Sequence, residues 1–98
     1  MIELDLNYSS FQQDWFALEK EEAYRLFGSL QKIRQLTWQQ VYRDRGLKWE
    51  AVHSRRGPGG QKLYSLRVSQ KMRAVVYRDE NFMTFVSLHP DHDSAYKK

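Results

Sequence analysis

The chain has no cysteine and no long run of apolar residues. Without cysteine it forms neither disulfides nor thiolate metal sites, and this composition is typical of proteins from a reducing cytoplasm. A membrane-spanning helix needs about 18 consecutive apolar residues, and no stretch approaches that length. We therefore expect a soluble cytoplasmic protein with neither a membrane span nor a signal peptide.

Acidic side chains are scarce in the second half of the chain. Residues 51–98 contain nine Lys and Arg against four Asp and Glu, whereas residues 1–50 contain seven against eight. The net charge of +4 therefore comes from the C-terminal half. Such an excess favours a basic face for an anionic partner, most commonly nucleic acid. A generally basic surface without a specific partner is the alternative.

Apolar and aromatic residues are numerous enough for one core. Of the 98 residues 41% are hydrophobic, including three Trp, six Tyr and five Phe. A chain of this length is expected to form a single domain, here residues 1–98.

Two capping boxes predict where helices begin: Ser10 with Gln13, and Thr37 with Gln40. Between them apolar residues recur at helical spacing, at Phe11, Trp15, Leu18, Ala23, Leu26, Leu30 and Ile33. The pattern predicts a pair of helices bent near residues 19–22, and one long helix is the alternative. Gly46 is expected to end the third helix as its C′ residue.

Alternation of polar and apolar residues predicts five strands, over residues 2–6, 48–53, 64–69, 72–77 and 82–88. Residues 55–60, with three glycines and a proline, are predicted to form a loop. The connections between the last three strands are too short for parallel crossovers, so these strands are expected to be antiparallel. The order of elements predicts an α+β fold with helices on one face of an antiparallel sheet.

Two arginines in the predicted strands are candidates for phosphate binding. Arg67 alternates with Leu66 and Val68, so it is expected on the open face, away from the helices. Arg73 alternates with Met72 and Ala74 in the same way. The planar guanidinium suits bidentate phosphate recognition and stabilises charge that develops on a phosphoryl oxygen. Cross-strand salt bridges or simple solvation are the alternatives.

The C-terminal tail concentrates side chains that exchange protons. His89, His92 and Tyr96 lie within eight residues, with Asp91 and Asp93 between them. These side chains are suited to general acid and base catalysis. A metal site is one alternative, although only His53 could add a further imidazole. Turn and capping roles are another.

Four further residues are candidates for binding an RNA backbone without regard to its sequence: His53, Arg55, Arg56 and Lys62. They lie beside the glycines of the predicted loop. A solvated loop is the alternative.

The segment YSLRVSQKMRAVVYRDENFMTFVSL, followed by a polar tail that contains Tyr96, resembles the RelE/ParE superfamily of bacterial toxin–antitoxin toxins. The resemblance covers residues 48–96 and extends to the helices by element order. It implies helices on a twisted antiparallel sheet whose opposite face is concave and basic. In the RelE branch it also implies cleavage of mRNA at the ribosome without a metal or other cofactor, and neutralisation by an antitoxin.

By matching position, the resemblance implies phosphate binding by Arg67 and Arg73, and acid or base roles for His92, Tyr96 and the neighbouring His89. Ser65 departs from the pattern, because some relatives carry a strand lysine there. The missing charge is then expected from Lys62, Arg55 or Arg56. The ParE branch, which has this fold but poisons gyrase without nuclease chemistry, is the alternative function. A plain RNA-binding module is a third.

Overall fold

A computed structural model, which describes residues 1–90, contains three helices and five strands in that part of the chain. The helices are α1 (Ser9–Phe16), α2 (Lys20–Arg34) and α3 (Trp38–Arg43). The strands are β1 (Glu3–Asp5), β2 (Glu50–Arg56), β3 (Lys62–Arg67), β4 (Arg73–Asp79) and β5 (Phe82–His89). The predicted α+β class is confirmed, as is the break between the first two helices.

The strands form one sheet in the order β1-β5-β4-β3-β2. Within the set β2 to β5, paired strands are antiparallel, as predicted. Strand β1 differs, because it pairs in parallel with β5, for example Leu4 with Met83. A parallel partner needs a long connection between the two strands. The helices and the other strands supply that connection, and the sheet is therefore mixed.

Of the two predicted capping boxes, the one at α3 is present and the one at α1 is not. At α3 the capping box is present: Gln40 N donates to Thr37 Oγ1 at 3.1 Å, and Thr37 N donates to Gln40 Oε1 at 2.9 Å. At α1 the prediction was wrong, since the N-cap is Tyr8 and no side chain caps the helix. The Ser10 hydroxyl instead donates to the Val86 carbonyl at 2.6 Å. A tertiary hydrogen bond to β5 thus replaces the local cap.

Gly46 does not end α3. The C-cap is Asp44, and the residue with a left-handed backbone is Lys48, with φ of 49°. Asp44 Oδ1 accepts from Leu47 N at 2.9 Å and from Lys32 Nζ at 3.0 Å. Burial opposes ionisation of Asp44, but these hydrogen bonds and the Lys32 charge outweigh it and lower its pKa. A carboxylate therefore shapes this turn where a glycine was expected.

The main core lies between the helices and one face of the sheet. Its fully buried side chains include Phe11 and Ile33 from the helices and Leu66 and Phe85 from the sheet. The rings of Phe11 and Phe85 lie 5.3 Å apart. A smaller apolar cluster occupies the opposite face, which we call the open face: Val52, Leu63, Val75 and Val86. The open face is therefore apolar in its middle, which limits the positions where polar chemistry can sit.

The predicted loop at residues 55–60 was wrong in its first two residues, because Arg55 and Arg56 belong to β2. The register explains this extension. Val52 pairs with Leu63, and Arg56 pairs with the adjacent Lys62, so β2 carries three extra residues at this bulge. Such insertions re-aim side chains locally. No helix within residues 1–90 has both the length and the apolar content that a membrane crossing requires.

Candidate active site on the open face of the sheet

Three of the predicted site residues form one row across the sheet. Arg67 on β3 pairs with Arg73 on β4, and Arg73 pairs with His89 on β5. Directly opposed residues on antiparallel strands have their Cα atoms about 4.5–5.5 Å apart. The three side chains therefore start close together on the open face, at the end of the sheet where the chain continues into its tail.

Arg67 and Arg73 place two positive charges side by side. Within residues 1–90, neither guanidinium is paired with a carboxylate. The cross-strand salt bridge considered from the sequence is therefore absent from this part of the chain. Like charges directly opposite each other destabilise a strand pair. An anion held between them would relieve that repulsion, which makes the pair a site for a phosphate group.

Arg73 is held firmly for so long a side chain. It is only 7% exposed, and its Nη1 donates to the carbonyls of Ser69 at 3.3 Å and Met72 at 3.4 Å. These carbonyls belong to the turn between β3 and β4. They satisfy part of the guanidinium but do not neutralise it, and a buried charge is costly without a partner of opposite sign. The side chain is thus fixed in position, and no carboxylate of residues 1–90 pairs with it.

A second set of contacts joins β2 to β5 on the same face. Arg55 Nη2 donates to Ser87 Oγ at 3.4 Å, and Ser87 Oγ lies 2.8 Å from His89 Nε2. The hydroxyl can accept from the arginine and donate to a neutral imidazole, or it can accept from a protonated ring nitrogen. Ser87 therefore fixes the orientation of His89 and links it to a cation.

The bulge in β2 explains how Arg55 reaches this face. Val52 belongs to the open face, and strict alternation would send Arg55, three residues later, to the opposite side. The extra residues of the bulge reverse the alternation. Arg55 Nε is buried and has no hydrogen-bond partner in the described part of the chain. Within residues 1–90, this Nε is therefore a hydrogen-bond donor without an acceptor, and it lies beside the row of Arg67, Arg73 and His89.

The assembled groups are suited to reactions of an anionic phosphoryl group. Hydrogen bonds hold the guanidiniums of Arg55 and Arg73, and Arg67 adds a third. Positioned donors of this kind can stabilise negative charge that develops on a phosphoryl oxygen. His89 can accept or donate a proton. We refer to Arg55, Arg67, Arg73, Ser87 and His89 together as the open-face cluster.

The structure separates the predicted site residues into three groups. Arg67, Arg73, His89 and Arg55 come together in the open-face cluster. His53, Arg56 and Lys62 instead line a different cleft of about 290 Å³ between β2 and β3. His92 and Tyr96 lie outside the described residues, as does the alternative metal site in the tail. Ser87 was missed, although its position two residues before His89 on a strand places both on one face.

Comparison with known proteins adds to this geometry. The fold resembles that of a bacterial toxin. One similar structure is the crystal structure of a copper-bound mutant toxin from Helicobacter pylori, with a TM-score of 0.51 and 16% sequence identity. The alignment covers 96% of this chain and 98% of that chain. At this identity the likeness establishes a shared fold. No protein-family model and no curated protein sequence matches the chain.

Proposed function

We propose that this chain is the toxin of a toxin–antitoxin pair and acts as a ribosome-dependent mRNA endoribonuclease. The observation that carries the proposal is the row of Arg67, Arg73 and His89 on the open face. The resemblance of residues 48–96 to RelE toxins supports it. So does the fold shared with the Helicobacter pylori toxin over nearly the whole chain.

The reaction is an attack by an RNA 2′-hydroxyl on the adjacent phosphorus. The bond from O2′ to phosphorus forms and the bond from phosphorus to O5′ breaks, which leaves a 2′,3′-cyclic phosphate and a 5′-hydroxyl. Negative charge builds on the two non-bridging oxygens. Arg67 and Arg73 are placed to bind those oxygens, and because Arg73 is already held by the turn carbonyls, little reorganisation accompanies the charge.

Two proton transfers complete the reaction. A base takes the proton from the 2′-hydroxyl, and an acid gives one to the departing O5′. His92 is assigned one of these roles, and Tyr96 or His89 the other. His89 is the member of this set that the open-face cluster orients, through Ser87 at 2.8 Å. His92 follows His89 by three residues, so covalent geometry limits their Cα separation to about 11 Å.

Arg55 takes the place of the missing strand lysine. Ser65 lies on β3 two residues before Arg67, on the same face, and it is completely buried. The charge expected at that position is supplied from β2 by Arg55, which contacts Ser87. We assign to Arg55 a third contact with the phosphate or with its neighbour along the strand.

The partners follow from the charge of the open face. A cluster of three arginines attracts mRNA in the ribosome, and an acidic segment of an antitoxin would compete for the same surface. An extended acidic peptide that covers Arg67 and Arg73 would exclude the substrate phosphate. The location implied for such a pair is the cytoplasm, where mRNA is translated.

The proposal is tested by adding the purified protein to translating ribosomes and sequencing the 5′ ends of the mRNA. The wild type should create new ends inside codons, with a 5′-hydroxyl and a 2′,3′-cyclic phosphate. Arg67→Gln and His92→Ala should remove these ends while the circular-dichroism spectrum is retained and the melting temperature is not lowered. Arg45→Gln, at an exposed position beyond the end of α3, is the matched control for loss of one positive charge.

Other results would redirect the assignment. Growth arrest with intact mRNA and lost supercoiling would support a ParE-like action on gyrase. Cleavage by an Arg67→Gln variant at the wild-type rate would remove the row from the mechanism. A chain that neither arrests growth nor cleaves mRNA would be an RNA-binding module at most.

A further inference from the structure

The cleft between β2 and β3 is a second concentration of positive charge. It has a volume of about 290 Å³, close to the lower limit for small-ligand sites. Its polar lining consists of His53, Arg56 and Lys62, and Tyr64 contributes a ring. Val52 and Leu63 add apolar surface. No acidic side chain is among the residues that line it.

The bulge in β2 creates the cleft. Between the pairs Val52–Leu63 and Arg56–Lys62, β2 has three residues without counterparts on β3. The ladder of hydrogen bonds is interrupted at such an insertion, and the bulged strand bends away. The insertion that turns Arg55 towards the open face therefore also opens a space beside it.

Arg56 and Lys62 face each other across this space as direct strand partners. Both residues are exposed. Like charges at opposed positions repel each other. This pair lies at the end of the two paired strands. An anion between them would convert repulsion into attraction. His53 adds a third group that can donate to a phosphate oxygen.

An aromatic stack begins at the cleft wall. The Tyr64 ring stacks on Trp49 with centroids 4.7 Å apart and an angle of 20°, and Tyr42 lies 5.3 Å from Trp49. Tyr64 is half-buried, so the stack holds the ring in place at the edge of the cleft. Cations along a groove beside a fixed aromatic ring are the combination that binds single-stranded nucleic acid.

Lys62 and Tyr64 lie on the other side of the sheet from the open-face cluster, whereas Val52 and Leu63, which also line the cleft, belong to the open face. The cleft is therefore at the edge of the sheet, where β2 is the last strand. Lys62, Tyr64 and Leu66 share one face of β3, and Leu66 lies in the core beneath the helices. Ser65 and Arg67 share the opposite face. A phosphate between Arg56 and Lys62 is therefore a different phosphate from the one held by Arg67 and Arg73.

We propose that this cleft binds a phosphate of single-stranded RNA away from the cleaved bond, with the adjacent base packed against Tyr64. The assignment of RNA as the ligand of this cleft rests on the proposed function. It adds a second contact that increases affinity and sets the path of the strand around the edge of the sheet at β2. The cleft takes no part in bond breaking.

Binding is measured with a 2′-O-methyl RNA oligonucleotide, which lacks the attacking hydroxyl, by fluorescence anisotropy at several salt concentrations. Loss of the single phosphate contact in Arg56→Gln/Lys62→Gln should reduce the slope of log affinity against log salt by about 0.7. Lys20→Gln/Arg25→Gln on α2 removes one lysine and one arginine elsewhere and should leave the slope unchanged. Equal slopes in the two double variants would overturn the proposal.

The aromatic contact has its own pair of variants. Tyr64→Leu should weaken oligonucleotide binding by about 5- to 100-fold, the range for one stacked base, and Tyr64→Phe should not. Inorganic phosphate is the second probe. If it displaces the oligonucleotide from the wild type and Tyr64→Leu has no effect, the cleft is a simple anion site, and the RNA assignment is wrong.

Cleavage of mRNA on ribosomes separates this inference from the proposed function. With limiting protein, Arg56→Gln/Lys62→Gln should give fewer 5′ ends than the wild type because it binds mRNA more weakly, whereas Arg67→Gln should give none at any protein concentration. If the wild type cleaves mRNA and the cleft variant binds RNA normally, the proposed RNA contact in the cleft is wrong and the nuclease function is retained. If the wild type never cleaves mRNA but the cleft variant binds RNA more weakly than the wild type, the nuclease function is refuted and the RNA contact in the cleft is supported.

Discussion

Arg55 on β2 donates to Ser87 on β5, two strands that are not neighbours in the sheet. In a flat sheet these strands would be separated by three spacings, about 14 Å, which is beyond the reach of an arginine side chain. The contact therefore indicates that the open face curves inwards. Arg55 closes one side of this curved face.

Arg67→Gln is predicted to separate stability from activity. It removes a like-charge neighbour of Arg73, so the free energy of unfolding should rise by about 0.2–1 kcal/mol. Loss of one donor to the reacting phosphate should slow cleavage by about 100-fold or more. Urea unfolding and mRNA cleavage measure the two effects. A variant with lower stability and wild-type cleavage would show that Arg67 has a structural role.

Ser87→Ala is predicted to slow the reaction because Ser87 positions His89. Loss of a hydrogen bond of this kind is worth about 1 kcal/mol, or roughly a 5-fold decrease in kcat. The pH–rate profile should also change shape, since the hydroxyl selects between the two protonation states of the ring. A purely structural role would not change it. The control is Ser29→Ala, which removes the hydrogen bond to the Val68 carbonyl at 3.0 Å on the helix side.

Asp44→Asn is predicted to be less stable than the wild type at neutral pH, by no more than about 1 kcal/mol, since the Lys32 side chain is 47% exposed and surface pairs are weak. The pKa of Asp44 is lowered below its ordinary value of 3.8 in the folded state. The contribution of its charge is therefore complete above the unfolded pKa and is lost as the pH falls through the folded pKa. Urea titrations between pH 7 and 2 should show the two proteins converging in acid. A difference that persists at pH 2 would assign the effect to altered packing.

Thr37→Ala is predicted to reduce stability by about 1 kcal/mol, because it removes the Oγ1 that caps Gln40 N at the start of α3. Gln40→Ala removes only the reciprocal half of the box, the bond from Thr37 N, and should cost less. Thermal unfolding of both variants provides the measurement. An equal melting temperature for wild type and Thr37→Ala would mean that α3 is held by its buried Trp38 and Val41 alone.

Local patterns predicted much of this molecule. The α+β class, the break between α1 and α2, the cap at Thr37 and the short turns within the last three strands all depend on residues near one another in the chain. Alternation also placed Arg67 on the open face, because Leu66 beside it is apolar enough to fix which side is buried.

The tertiary structure decided the rest, and the reason is pairing between distant strands. Ser10 does not cap α1, because its hydroxyl donates a hydrogen bond to the carbonyl of Val86, 76 residues away in the chain. The parallel position of β1 depends on its contact with β5. Arg55 looked like a loop residue from the glycines beside it. Only the register with Lys62 and Leu63 makes it a strand residue, reverses its face and brings it to Ser87. Sequence alone thus identified the candidate side chains Arg55, Arg67, Arg73 and His89, while the bulge, a property of two paired strands, brought Arg55 to the face of the other three.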